Sequence, residues 1–233
     1  MPTPRRAPGP SRGKRKPVAA REPLSRERIL RAALALVADE GLAALSTRRL
    51  GERLHCEAMS IYHHYASKQH LLDAMVDHVL GTMELASDSA DPFQRVRHAF
   101  ESYRATAHRH PAFFPYMAVH RLNTQAGVRF IETVLSLIRD AVGDDELAAR
   151  YSRAAGYYLV GAGLDETAGY AKGPSAAQPV SDAYIREHCP RLTQAASYFQ
   201  RGEWDTTFEL GLEALLRSMA ADATRRSGAG GKR

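Results

Sequence analysis

The sequence predicts an all-α fold, with three short N-terminal helices containing a helix-turn-helix and a larger helical body behind them. Three observations predict it. Apolar residues recur at three- and four-residue spacing from about residue 24 to about 222, with no strand-type alternation between. Capping residues and glycines interrupt that pattern at helix-length intervals. The two ends of the chain, 1–23 and 223–233, carry no apolar periodicity at all.

The elements follow in order. Ser25 stands where a first helix needs an N-cap; Ile29, Ala33, Leu36 and Val37 share one face of it, and Gly41 closes it. Ser46 or Thr47 caps a short second helix through Leu50 and Leu54, and a third short helix covers 59–65. Ser67 caps a fourth, with Leu71, Leu72, Met75, Val76, Val79 and Leu80 on its buried side. Pro92 suits the first turn of a fifth, which carries Phe93, Val96, Phe100 and Tyr103 and breaks at His110-Pro111. A short apolar segment follows at 113–119. The next helix has Val128, Ile131, Leu135 and Ile138 as its apolar face and ends near Gly143. Asp144 or Asp145 then caps a helix running through Leu147, Tyr151, Ala154, Tyr158 and Ala162. Gly173, Pro174 and Pro179 mark 169–180 as a loop. Two further helices are expected at about 182–200 and 204–221. The domain division is a head at 24–70, a body at 71–222 and a disordered basic tail at each end, 1–23 and 223–233.

The formal charge of +6 is unevenly placed. Residues 1–23 carry +6, 24–68 carry +2, 69–222 carry −6 and 223–233 carry +4. An acidic body with basic ends suits a polyanion met at one end of the molecule. No run of apolar residues is long enough to cross a membrane, and the basic N-terminus lacks the apolar stretch of a secretory signal. Two cysteines, Cys56 and Cys189, make neither a disulfide framework nor a Cys-based zinc site, so a reducing cytoplasm is the default compartment.

One helix of about four turns, a very short helix, a turn of about four residues and another very short helix is the spacing of a helix-turn-helix. In that motif the second short helix lies in the major groove and offers base-reading side chains near its N-terminus. Leu50, Leu54 and Ile61 would be its buried positions. The residues themselves are distinctive: Arg-Ile-Leu-Arg-Ala-Ala-Leu-Ala-Leu-Val-Ala-Asp-Glu-Gly (28–41), Leu-Ser-Thr-Arg-Arg-Leu-Gly-Glu-Arg-Leu (45–54), then Met-Ser-Ile-Tyr-His-His-Tyr-Ala-Ser-Lys-Gln-His-Leu-Leu (59–72). This stretch resembles the DNA-binding domain of the tetracycline-repressor (TetR) family of bacterial transcriptional regulators. The cluster Tyr62, His64, Lys68 followed by Leu-Leu is its most specific part. The rest of the chain resembles, more loosely, the regulatory domain of the subgroup around the tetracycline repressor itself.

The resemblance implies roles. Thr47, at a helix N-terminus, would meet a phosphate, and Arg48 would reach a guanine edge. Ala58 and Met59 stand at base-contact positions, and both would favour a thymine methyl. Ser60, Tyr62, His63 and His64 would mix phosphate and base contacts, and Lys68 would clamp a phosphate. The family usually has a small residue, often glycine, where this chain has His55. If a left-handed backbone is needed there, histidine bears it at some cost. Taken singly, each residue has an ordinary alternative: Tyr62 as packing, His63 and His64 as a solvated face, Arg48 and Arg49 as surface charge.

The aromatic stretch 103–116, with neighbouring residues, is expected either as core or as the lining of a ligand cavity. Its candidates are Tyr103, Phe113, Phe114, Met117, His120, Tyr157 and Tyr158. Ala148, Ala154, Ala155 and Ala162, with Leu212, Leu215, Leu216 and Met219, suit either a four-helix dimer interface or an intramolecular bundle. His108, His110 and His120 lack metal-site spacing, Gly161-Ala162-Gly163 follows a helix pattern rather than a strand, and Asp165-Glu166 is expected to be solvated. No catalytic constellation is present, and no metal or cofactor is implied. Cys56, in the predicted turn, is read as neutral rather than redox-active. The expected protein is a homodimeric regulator, most simply a repressor, that is not an enzyme. Its partners are a palindromic double-stranded DNA operator and a small-molecule effector that releases it. It would work in the bacterial cytoplasm, on the nucleoid when DNA-bound. The alternative is a ligand-independent architectural regulator.

Overall fold

The computed structural model describes residues 23–169, 172–174 and 176–230. The N-terminal basic segment therefore lies outside the described residues, apart from Pro23. Among those described, every regular element is helical.

The head holds α1 (Arg26–Glu40), α2 (Thr47–Leu54), α3 (Ala58–Tyr62) and the start of α4 (Lys68–Gly81). Ser25 caps α1, its hydroxyl accepting from the Arg28 amide at 3.2 Å. Ser46 and Ser67 do the same for α2 and α4. Of the two candidate caps for α2, Ser46 serves, its side chain accepting from the Arg49 amide, and Thr47 is the first helical residue. α1 stops at Gly41, whose φ of +82° suits glycine. Ile29, Ala33, Leu36 and Val37 pack on Leu50, Ile61, Met75 and Val79 in one continuous core. That core does not stop at α4; it includes Phe113, Phe114 and Met117 of the body.

The body comprises α5 (Pro92–Arg109), α6 (Phe114–Val119), α7 (Gln125–Val142), α8 (Asp145–Thr167), α9 (Asp182–His188), α10 (Pro190–Ala195) and α11 (Trp204–Gly230). Asp91 caps α5 ahead of Pro92, and Asp144 caps α8. A second core joins α5, α7, α8 and α11 through Val96, Phe100, Ile138, Leu147, Leu212 and Met219. Arg97 of α5 fastens α11 through Glu209 and Glu213.

Three expectations are corrected here. The single helix at 182–200 is broken, because Pro190 has no amide proton and disfavours a helical residue before it. Its pieces, α9 and α10, lie on the surface. The C-terminal end is not an irregular tail up to Gly230. There α11 continues, Arg226 meeting Asp144 at 2.8 Å and Glu146 at 3.0 Å while Arg225 pairs with Asp222. On α7, Val128 and Ile131 are 50% and 40% exposed. The buried face runs instead through Gly127, Ile138 and Val142, with Phe130 and Val134 half-buried. Of the two alternatives left open for α8 and α11, the intramolecular one holds for Ala148, Ala155, Leu212, Leu216 and Met219, which face inward and pack within the chain.

His110 ends α5, half-buried. Burial, then the nearby charges of Arg109 and His78, hold its pKa below the ordinary 6.5. Folding thus favours neutral His110. The resulting stability is complete above pH 6.5 and is lost as the pH falls below that value. Acidification from about pH 7.5 to about pH 5 is expected to lower the melting temperature of the native chain more than that of His110→Gln. Equal falls in scanning calorimetry would contradict this.

Candidate nucleic-acid interface and ligand cavity

The turn between α2 and α3 depends on two backbone positions. His55 ends α2 in the left-handed conformation, with φ +54° and ψ +48°. The required positive φ is therefore real at this non-glycine site. The Cys56 amide then donates back to the Gly51 carbonyl at 3.0 Å, which folds the turn against the helix. Gly51 is buried, and a Cβ there would stand 2.7 Å from the Cys56 carbonyl oxygen. A glycine inside so short a helix was the sequence signal for this close approach, and it went unread.

α3 is one and a half turns long, so its faces separate cleanly. Ile61 points into the core at 1% exposure, while Met59 and Tyr62 stand out at 66% and 42%. His63 is exposed, and Ala58, Ser60 and His64 are partly so. Thr47 brings its hydroxyl to 3.5 Å from the Tyr62 hydroxyl, too long for a strong hydrogen bond but close enough for both to face one acceptor. Arg48 pairs with Glu52 at 3.2 Å, both side chains being largely exposed, so the pair holds the guanidinium only weakly. Lys68 stands exposed at the first position of α4. The structure thus gathers Thr47, Arg48, Ala58, Met59, Ser60, Tyr62, His63, His64 and Lys68 within the helix-turn-helix, the turn following it and the start of α4, five of them exposed.

Other head residues position this face. Arg26 donates to the His64 carbonyl at 2.8 Å and lies over the Tyr65 ring at 4.5 Å, and the Tyr65 hydroxyl returns a bond to the Arg26 carbonyl at 3.1 Å. The end of α3 is therefore latched to the start of α1. Arg49 pairs with Glu40, and Arg53 with Asp39 at 2.6 Å, fixing α2 to the last turn of α1.

In the body, α5, α6, α7 and α8 enclose a cavity of about 260 Å³. Tyr103, Met117 and His120 line it, with Phe100, Phe130 and Leu159 among their neighbours. Four expected lining residues do not. Phe113 and Phe114 are buried in the core at 2% and 0% exposure, and Phe114 packs on Gly163 so tightly that a Cβ there would come within 2.5 Å of the ring. Tyr158 instead stacks on Phe208 at 5.4 Å and bonds the Phe208 carbonyl, joining α8 to α11. Tyr157 faces outward at 70% exposure. Adjacent residues on one helix point about 100° apart, so Tyr157 and Tyr158 serve different surfaces. Burial pushes the Tyr103 hydroxyl up to about 12, which keeps it a neutral donor at ordinary pH.

Two polar arrangements lay outside the sequence reading. Glu166, expected to be solvated, is 7% exposed. It receives Arg104 through two bonds, at 2.8 and 3.0 Å, and His108 Nε2 at 2.6 Å, while Arg104 also reaches Asp205 at 2.8 Å. The second is a ladder between α4 and the segment from α6 to α7. Gln69 donates to the Tyr116 hydroxyl at 3.0 Å, Asp73 meets His120 Nε2 at 3.4 Å, and Asp77 accepts from Thr124. Both strands of the ladder step by four residues, one helical turn on α4.

Residues 29–75 match the family described as "Bacterial regulatory proteins, tetR family", and residues 89–222 match "Tetracyclin repressor-like, C-terminal domain". The tetracycline repressor protein class C of Escherichia coli is 29% identical over 203 residues, covering 83% of this chain and 89% of that protein. A possible TetR family transcriptional regulator from Streptomyces coelicolor A3(2) has a similar structure, with a TM-score of 0.71 and 27% identity, over 84% of this chain and 99% of that one. The Streptomyces coelicolor TetR family protein ActR, solved in complex with actinorhodin, is 25% identical with a TM-score of 0.69, over 87% and 99% of the two chains. No helix among the described residues is long and apolar enough to cross a membrane, and no group of three or more metal-binding side chains is present among them. The chain belongs to the tetracycline-repressor (TetR) family of DNA-binding bacterial transcriptional regulators.

Proposed function

We propose that this regulator is a homodimeric, cytoplasmic repressor that holds a palindromic operator and leaves it when a small molecule fills the body cavity. Two copies would place their α3 helices in successive major grooves, with half-sites about 34–36 Å apart or a multiple of that spacing. Met59, Tyr62 and His63 would face base edges and sugar-phosphate. Arg48 would read a guanine, and Thr47 and Lys68 would hold phosphates.

The observation that carries the release step is the α4 ladder. Lys68 opens α4 at the DNA end, and from the next residue on Gln69, Asp73 and Asp77, spaced one turn apart, fasten the same helix to Tyr116, His120 and Thr124. His120 also lines the cavity. A ligand that displaces His120 from Asp73 changes how α4 is held, and α4 carries one edge of the DNA-reading face. Ligand and DNA would then oppose each other reciprocally, provided the ligand binds the two arrangements unequally. The exposed outer side of α11, marked by Leu210 at 69% exposure, is the surface a second copy would cover.

The docking is tested with an operator selected from random duplexes. Tyr62→Ala is expected to weaken that operator by about 1–3 kcal/mol while leaving random DNA less affected. Lys68→Ala is expected to weaken both alike and to flatten the salt dependence. Unchanged affinity for both folded variants in fluorescence anisotropy would overturn the docking.

A further inference from the structure

We infer that the cavity between α5, α6, α7 and α8 selects a compact aromatic anion, its rings inside and its acidic group at Arg153. This rests on the reading of that cavity as the effector site and adds the chemistry of the effector.

Size sets the first limit. At about 260 Å³ the cavity falls just below the roughly 300–1,000 Å³ of sites that enclose drug-sized molecules. A two-ring skeleton suits it better than a four-ring one. The wall sets the second. Phe100, Tyr103 and Phe130 line it with aromatic rings, and Met117, Val134 and Leu159 complete a hydrophobic surface suited to a flat apolar body.

Charge sets the third and most selective limit. The lining contains no aspartate or glutamate, but it does contain Arg153, His120 and Ser152. His120 already has Asp73 at 3.4 Å. Arg153 lies over the Tyr157 ring at 5.6 Å, and no carboxylate among the described residues forms an ion pair with it. It stands on the exposed side of α8, where the cavity meets an outer groove lined by Ile131, Gly156 and Tyr157. A guanidinium there accepts a carboxylate through two parallel bonds and repels an ammonium group. Deeper in, the Tyr103 hydroxyl has no hydrogen-bond partner among the described residues, and burial keeps it protonated, so it offers one donor to a ligand oxygen.

The test uses the full chain and one ring system carrying three charges: 6-hydroxy-2-naphthoate, its methyl ester and (6-hydroxy-2-naphthyl)methylammonium, titrated by calorimetry without DNA. The acid is expected to bind about tenfold more tightly than the ester, and the ammonium most weakly. Arg153→Gln should bring the acid to the affinity of the ester while leaving the ester unchanged, which also shows that the variant is folded. Tyr103→Phe should remove the advantage of 6-hydroxy-2-naphthoate over plain 2-naphthoate. The inference is overturned if the ester or the ammonium matches the acid, if the acid preference survives Arg153→Gln, or if none of the three binds. Anisotropy with the selected operator separates this from the reading it rests on. Acid binding that leaves the operator complex intact keeps the anion site and removes effector release. Release by an uncharged or cationic compound, with no acid binding, removes the anion site alone.

Discussion

Glu166→Ala is expected to destabilise the folded chain by about 3–5 kcal/mol, the largest effect of any single substitution considered. The Arg104 side chain is only 14% exposed, and it keeps Asp205, a largely exposed carboxylate, as its remaining partner. Burial works against the Arg104 charge, while bonds to Glu166 and Asp205 hold its pKa above the ordinary value. Removing Glu166 leaves that guanidinium and His108 with an unfilled space between them. The same change loosens α5 from α8, since Arg104 and His108 lie on α5 and Glu166 on α8. Urea unfolding followed by circular dichroism measures it. Replacing both partners with apolar groups, Glu166→Leu with Arg104→Met, is expected to recover most of the loss, because the cost lies in a buried charge stripped of its buried, two-bonded partner. A loss below about 1 kcal/mol for Glu166→Ala would show that water or neighbouring side chains take over its role.

Gly51→Ala is expected to reduce affinity for the selected operator at least about tenfold while leaving the helical body folded. One methyl group is added, but it arrives 2.7 Å from the Cys56 carbonyl oxygen, a backbone atom, and its own position is fixed by the Gly51 backbone. Neither can rotate away, so α3 must shift relative to α2. Overpacking of this kind costs about 1–3 kcal/mol in general. Here it also moves Met59, Tyr62 and His63 away from the position set by Ile61. Gly81→Ala, at the end of α4 with open space around it, is the matched control and is expected to leave operator affinity unchanged. Equal affinities for the two variants in anisotropy titrations would show that the turn tolerates the methyl group.

Most of the fold was legible because it is local. Ser25, Ser67, Asp144 and Gly143 mark helix ends through bonds to residues within one turn, so spacing alone locates them. The reading face was legible for a similar reason. α3 is so short that placing Ile61 inside leaves Met59, Tyr62 and His63 outside.

The cavity was read less well. Phe113, Phe114, Tyr157 and Tyr158 have the composition of a binding pocket, yet two are core, one braces α11 and one faces outward. Aromatic content does not reveal which side of a helix meets a neighbour when no charged residue marks the outer side, as over residues 154–164 of α8. The C-terminal residues failed in the opposite sense. Their composition reads as tail, but Arg226 finds Asp144 and Glu146 some eighty residues earlier.

Local pattern was therefore enough for most of the helices, the helix-turn-helix, the family and the uneven charge of an acidic body with basic ends. Only the tertiary structure shows that Glu166 is buried with Arg104 and His108, that α4 is laddered to the cavity wall, and that Arg153 lines the cavity with no carboxylate partner among the described residues. The physical reason is distance along the chain. Caps and periodicity act within a few residues, whereas the partners of a charge and the walls of a cavity come from helices whose packing no local pattern encodes.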